Sequence, residues 1–297
     1  MPREAPAGFV EWLGSAEGDV RTLGGKAASL DRLARLGFRT PPGFCLTTAA
    51  FSRQLGAFPE AGASISGLPD EAARQALVTA VETTPLPSEV SEALDVALRR
   101  LIVGATVPGD GPPTFAVRSS GVGEDSANAS FAGLHETELG VTAEDVPAAI
   151  RRCWASLWSA PAIAYRARRG LPLDGGAMAV VVQTLVPAEA AAVAFTRHPV
   201  TGREDQLVIT AVRGFGDAMV AGTVTPDTIV VDRASLGIIE WALADRTEGP
   251  ALSDRLLREL VELVLGVERR FGAPVDVEAA VGGGDWFLLQ ARPITTN

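Results

Sequence analysis

Lysine is nearly absent from this chain. Of its 297 residues 26 are basic, and Lys26 is the single lysine among them. A drift from lysine to arginine suits solvent-facing positions in general, so the surviving ammonium marks a place where a compact charge serves and a planar guanidinium does not. Cysteine is almost as scarce. Cys45 and Cys153 lie far apart with no CxxC spacing and no His/Cys cluster, which excludes a disulfide framework or a zinc site and leaves two core thiols. Positive charge is in deficit: the net charge is -10. Nucleic acid and anionic membrane surfaces are thereby excluded as main partners, because the counterion release that drives such binding needs a basic face. No apolar run approaches the roughly 18 residues of a membrane span. The first residues, MPREAPAGFVEW, lack the apolar core of a signal peptide, and the chain reads as cytoplasmic.

What remains is a globular composition, 47% hydrophobic and 21% charged, enough for one large domain or two lobes with separate cores. Lys26 follows Gly24-Gly25 and precedes AASLDRLARLG. Ala27, Leu30, Leu33 and Ala34 recur at helical spacing, and Gly37 sits where a C-terminal cap belongs. Lys26 is therefore expected in the first turn of a helix, where free N–H groups and the macrodipole favour an anion. The GxxxxGK[ST] spacing of a P-loop is absent.

Further along, 45–104 reads as helical scaffold, with Val90, Leu94, Leu98 and Leu101 on one face after a Ser88 cap. The breaker cluster PGDGPP then presents Phe115 to Gly133, FAVRSSGVGEDSANASFAG. Phe115 and Val117 alternate as in a strand and deliver Arg118 to a loop of Ser, Gly, Asp and Asn. Such a loop offers N–H groups and hydroxyls beside a guanidinium, the parts of a phosphate cradle; taken alone it is equally a surface connection. Residues 134–141 look strand-like, and 144–169 look helical with a kink at Pro161 and a packing face of Trp154, Leu157 and Trp158. From Ala177 the chain turns to short Val- and Ile-rich runs suited to strands buried on both faces. A helix from a Ser253 cap to Gly272 follows, then two strands joined by a glycine turn.

That last hairpin carries chemistry. Asp276 and Glu278 share a face of one strand, and Gln290 and Arg292 share a face of the other. With the turn centred on Gly283, Asp276 lies opposite Gln290 and all four converge, whereas a slip of one residue splits them. A carboxylate and an amide oxygen suit magnesium, and an adjacent arginine suits a phosphate that the metal also touches. In isolation the same residues make a solvated polar face. Beside Lys26 and Arg118 they make a nucleotide and Mg²⁺ site the leading reading.

The segments GGKAASLDRLARLGFRTPPGF, FAVRSSGVGEDSANASFAG, FTRHPVTG, GFGDAMVAGTVTPDT and DVEAAVGGGDWFLLQARPIT resemble, in order, the motifs of a known family. It is the N-terminal ATP-grasp domain of phosphoenolpyruvate synthase, pyruvate phosphate dikinase and rifampicin phosphotransferase. The likeness runs from about Gly24 to Thr295. It implies an α/β (α+β) two-lobed ATP-grasp fold, residues 1–297 forming one nucleotide-binding domain with lobes of about 1–175 and 176–297. ATP and Mg²⁺ are expected in the cleft between them. By position in the motifs, Lys26 and Arg118 correspond to the phosphate-binding Lys and Arg, and Gly133 and Thr137 to glycine-loop residues that hold the nucleotide. Gln183 corresponds to the hinge residue near the adenine, Glu278 and Gln290 to the metal ligands, and Arg292 to the final phosphate contact. Asp276 is an auxiliary position.

Two positions depart from the family pattern: Leu134 stands where Gln is common, and Asp217 where Glu is usual. A third departure is the lack of a carrier histidine. His135 follows the glycine loop and His198 belongs to a turn, and neither has the Gly- and Ser-flanked setting of that residue. The resemblance therefore implies the ATP-binding part of a split or shortened dikinase-type phosphotransferase. Lys26, Arg118 and Arg292 offset charge while the β-phosphate passes to a His on a separate swiveling domain, with AMP and phosphate as products. A small-molecule acceptor, such as pyruvate, an antibiotic hydroxyl or a biosynthetic intermediate, is reached through that partner. The alternatives are an ATP-binding regulatory module without transfer and a stand-alone ATP-grasp kinase or ligase that forms ADP.

Overall fold

The computed structural model describes residues 8–15, 19–58, 71–104, 111–122, 125–126, 129–130, 137–169, 176–220, 222–244 and 249–294. Gly133, Leu134 and His135 lie outside them. The fold is α/β, and the chain divides into two compact units. The first holds the described residues through Asp31 and from Pro42 to Leu185; the second holds Arg32–Pro41 and the chain from Val186 onward.

The first unit is built on an antiparallel sheet ordered β1 (Val10–Trp12), β2 (Gly43–Leu46), β7 (Met178–Thr184), β3 (Phe115–Gly121), β6 (Thr137–Val141). A separate two-stranded ribbon pairs β4 (Asp125–Ser126) with β5 (Ala129–Ser130). One face of the sheet, with Phe44, Leu46, Phe115, Val117, Val180 and Val182, packs on helices α2 (Thr48–Leu55), α3 (Glu71–Thr83), α4 (Ser88–Val103) and α5 (Val146–Ala155). Phe51 sits against Trp154 and Trp158, so the expected tryptophan face is a packing face. Against the opposite face, Leu23, Ala27 and Leu30 of α1 (Val20–Arg35) meet Cys45, Ala179 and Val181.

Two local expectations change. The N-cap of α4 is Pro87, in extended conformation, and Ser88 is the first helical residue, its hydroxyl on Glu89. The helical stretch to 169 breaks before Pro161: a 3₁₀ turn, Ser156–Trp158, ends in an extended Ser159, and α6 (Ala160–Arg169) starts afresh. Pro161 thus falls in a first turn, where its missing N–H costs no helical bond.

The second unit is a six-stranded antiparallel sheet ordered β11 (Ile238–Ala242), β10 (Asp227–Asp232), β9 (Gln206–Arg213), β8 (Ala190–Phe195), β12 (Val275–Gly282), β13 (Asp285–Pro293). A single turn, α7 (Asp217–Val220), follows β9. Helix α8 (Asp254–Phe271) covers one face with Leu257, Leu260, Val261, Val264 and Val267. The Ser253 side chain accepts from Leu256 N–H and Gly272 closes the helix in the left-handed region, both as the sequence predicts. Strand β10 is not buried on both faces: Ile229 and Val231 point into the core while Thr228 and Val230 are half-buried, the alternation of a sheet covered on one side.

Candidate functional site

In the first unit the site begins at a defect in α1. Gly24 takes φ 70 and ψ 175, which breaks the helix, and the segment after the break carries Lys26 in its first turn. A side chain cannot stand at Gly24, because a Cβ there would lie 2.0 Å from the Ser120 carbonyl oxygen. Glycine is needed both for the backbone angle and for the close approach to β3. Ser120 then bridges the break: its Oγ accepts from Ala27 N–H at 3.0 Å and donates to Leu23 C=O at 2.7 Å. The Leu23 carbonyl also accepts a weak bond from the Cys45 thiol at 3.7 Å. Burial pushes that thiol well above its ordinary range, which fits a packing cysteine rather than a nucleophile.

Strand register tells which face the other candidates occupy. Arg118 pairs with Val181 on one side and Thr137 on the other, and Val181 belongs to the face packed on α1. Paired residues share a face, and so do residues two apart along a strand. Arg118, Ser120, Thr137 and Gln183 therefore lie on the α1 side of the sheet. Gln183, 2% exposed, is paired with Gly43. A Cβ at Gly43 would come within 2.6 Å of the Gln183 Cγ, so the glycine leaves the space this side chain occupies. Thr137 is exposed at the start of β6. Ser119 and Ser120 do not join a flexible cradle, as the composition suggests; β3 runs on through Gly121 and both serines are fully buried.

In the second unit the polar set falls on the face of β12 and β13 turned away from α8. The pairing differs from that expected with a turn centred on Gly283. Gly282 pairs with Asp285 across a Gly283-Gly284 turn, and Ala279 with Leu288. Unbroken pairing at that register would set Glu278 against Leu289 and leave Gln290 on the core side. A bulge between Glu278 and Ala279 absorbs Leu289, so Glu278 faces Gln290 and Asp276 faces Arg292. The bulge thus restores the convergence that the Gly283-Gly284 turn alone would lose, and all four groups share one face. Arg292 donates from Nε to Asp276 Oδ2 at 2.8 Å, with an Nη nitrogen also 2.8 Å from that oxygen. Asp276 and Gln290 are 7% and 6% exposed, while Glu278 and Arg292 are half-buried. Asp276 is therefore an anchor for Arg292, a role that strand periodicity alone does not reveal.

Among the described residues no cluster of three or more His, Cys, Asp or Glu side chains stands ready to hold a metal. The opposed Glu278 and Gln290 supply one carboxylate and one amide oxygen. That is too few donors for a protein cage, and it fits Mg²⁺, which keeps water and phosphate oxygens among its ligands. His198 is a turn residue: its Nδ1 accepts from Val200 N–H at 3.2 Å and Thr201 N–H at 3.3 Å. Asp217 is exposed at the start of α7.

Residues 20–248 match the family described as pyruvate phosphate dikinase, AMP/ATP-binding domain. A probable phosphoenolpyruvate synthase of Methanocaldococcus jannaschii is 35% identical over 97% of this chain and 27% of its own length. A rifampicin phosphotransferase of a Streptomyces species is 37% identical over 92% of this chain and 34% of its own. The chain thus spans between a quarter and about a third of the length of these relatives. A D-alanine-D-alanine ligase of Helicobacter pylori superposes at a TM-score of 0.35 with 11% identity, over 88% of this chain and 51% of its own, too loosely to argue from.

Proposed function

Because the chain belongs to the pyruvate phosphate dikinase AMP/ATP-binding family, we propose that it binds ATP with Mg²⁺ and prepares the β-phosphate for transfer to a histidine on another domain or polypeptide. The fold assigned to this reading is the two-lobed ATP-grasp fold. Lys26 and Arg118 lie on phosphate oxygens, Gly133 and Thr137 hold the nucleotide, and Gln183 flanks the base. Glu278 and Gln290 hold the metal, and Arg292, steadied by Asp276, meets the phosphates. The observation that carries the reading is the register of the last hairpin, which sets Glu278 against Gln290 and Asp276 against Arg292.

The transfer balances in a defined way. An imidazole nitrogen bonds to the β-phosphorus, the α–β bridging oxygen leaves with AMP, and water releases the γ-phosphate, so one phosphoryl group stays on the histidine. The three cationic side chains offset negative charge as it moves between oxygens, which is electrostatic catalysis without a covalent bond to this chain. Bound Mg²⁺ would neutralise phosphate charge and lower the barrier to attack. The acceptor beyond the histidine is a small molecule bound by a further domain. The setting assigned to this reading is cytoplasmic; Cys45 and Cys153 are buried and form no disulfide, and no helix of the described residues is long and apolar enough to cross a membrane.

Calorimetric titration with ATP, with and without Mg²⁺, tests the metal assignment. Wild-type protein is expected to bind more tightly with the metal, and Glu278→Ala is expected to lose that dependence. Equal metal dependence in the two proteins would overturn the ligand role of Glu278.

A further inference from the structure

We infer that Ser120 is a positioning residue for Lys26: it fixes the start of the helix that carries the ammonium, although it lies 93 residues away from the amide it caps. The inference rests on the reading of Lys26 as a phosphate-binding residue and deepens it. A helix that restarts after a break exposes N–H donors at its new first turn and a carbonyl at the end of the old one. Local sequence supplies no capping side chain here, since the break is Gly24-Gly25. Ser120 reaches in from β3 and meets both needs with one hydroxyl, accepting from Ala27 N–H and donating to Leu23 C=O. Ser120 is fully buried, as are Leu23 and Ala27, so no solvent replaces either bond.

The arrangement ties two candidate phosphate contacts to a common reference. Ser120 stands two positions after Arg118 on the same face of β3, and the helix it caps bears Lys26 directly before the capped residue. The clearance at Gly24, where any Cβ would strike the Ser120 carbonyl, keeps the junction at fixed distance from the strand. Loss of the hydroxyl leaves the buried Ala27 N–H without its acceptor and the Leu23 carbonyl with only the weak Cys45 thiol bond, and the restarted turn is free to shift. Because a phosphate contact depends on placement to within a fraction of an ångström, the effect is expected on phosphate affinity first.

The test is a cycle of Ser120→Ala and Lys26→Ala, singly and together, read by titration with Mg-ATP and with adenosine. Ser120→Ala is expected to weaken Mg-ATP binding about tenfold, the scale of one buried bond lost, and to leave adenosine affinity unchanged. In the Lys26→Ala background the same change is expected to shift Mg-ATP affinity less than about twofold, since coupled residues are non-additive. An unchanged Mg-ATP affinity in Ser120→Ala, an equal loss for adenosine, or an undiminished effect without Lys26 would each overturn the inference. Indifference of Mg-ATP affinity to Lys26→Ala would overturn the phosphate-binding reading and this inference with it. If Ser120→Ala does not fold, Ser120→Cys carries the same cycle, because it keeps the volume and weakens both bonds.

Discussion

A single ammonium in a chain otherwise furnished with guanidinium groups is a chemical choice that can be tested at one residue. Lys26→Arg keeps the charge but replaces a compact donor by a planar fork on a longer reach, so phosphate-dependent turnover is expected to fall roughly tenfold or more while the fold is unchanged. Steady-state rates measured with a phosphohistidine partner domain, beside thermal unfolding curves, check this; wild-type turnover in Lys26→Arg would mean that the guanidinium serves as well. The position of Lys26 in a first helical turn was legible from its two glycines and the following apolar spacing. The partner that fixes that turn was not, because Ser120 lies 93 residues along the chain and its hydroxyl looks like any loop serine until the strand is extended through it. Asp276 is a similar case: alternation placed it on the right face, but only pairing shows it opposite Arg292 rather than Gln290.

At the level of elements, two devices decide where side chains go, and both escape a reading by periodicity. The bulge at Leu289 changes the register within one hairpin, so a strict period of two predicts a convergent face for a pairing that the Gly283-Gly284 turn does not make. Strand β7 is buried on both faces and therefore carries no signal of which sheet it joins; it pairs with β2 and β3 in the first compact unit. The β2–β7 pair yields a prediction. Gly43→Ala places a methyl 2.6 Å from both the Gln183 Cγ and the Val182 carbonyl oxygen. Stability is expected to drop by about 1–3 kcal/mol from overpacking, with weaker nucleotide binding as Gln183 moves. Denaturant unfolding and a nucleotide titration measure the two effects, and full retention of both would show that the strands yield without displacing Gln183.

For the whole molecule, the positions of α8 and its two caps followed from patterning, because that helix buries one amphipathic face against one side of the six-stranded sheet. The net charge of -10 sets a boundary on partners: no retention on a heparin or DNA column is expected at 0.15 M salt, since a polyanion gains little counterion release from an acidic surface. Retention there would reveal a basic face stronger than the balance of charge implies. The relatives are about three to four times as long as this chain, which covers 27% of one and 34% of the other, and the transfer step is accordingly proposed for a histidine on another domain or polypeptide.

The measurement that tests the central claim most directly is the identity of the nucleotide product. The chain is incubated with Mg-ATP alone and with a separately expressed phosphohistidine domain, and products are resolved by phosphorus NMR. The account predicts negligible turnover alone, and AMP, phosphate and an acid-labile phosphohistidine when the partner is present. ADP and phosphate formed by this chain without any partner would contradict it.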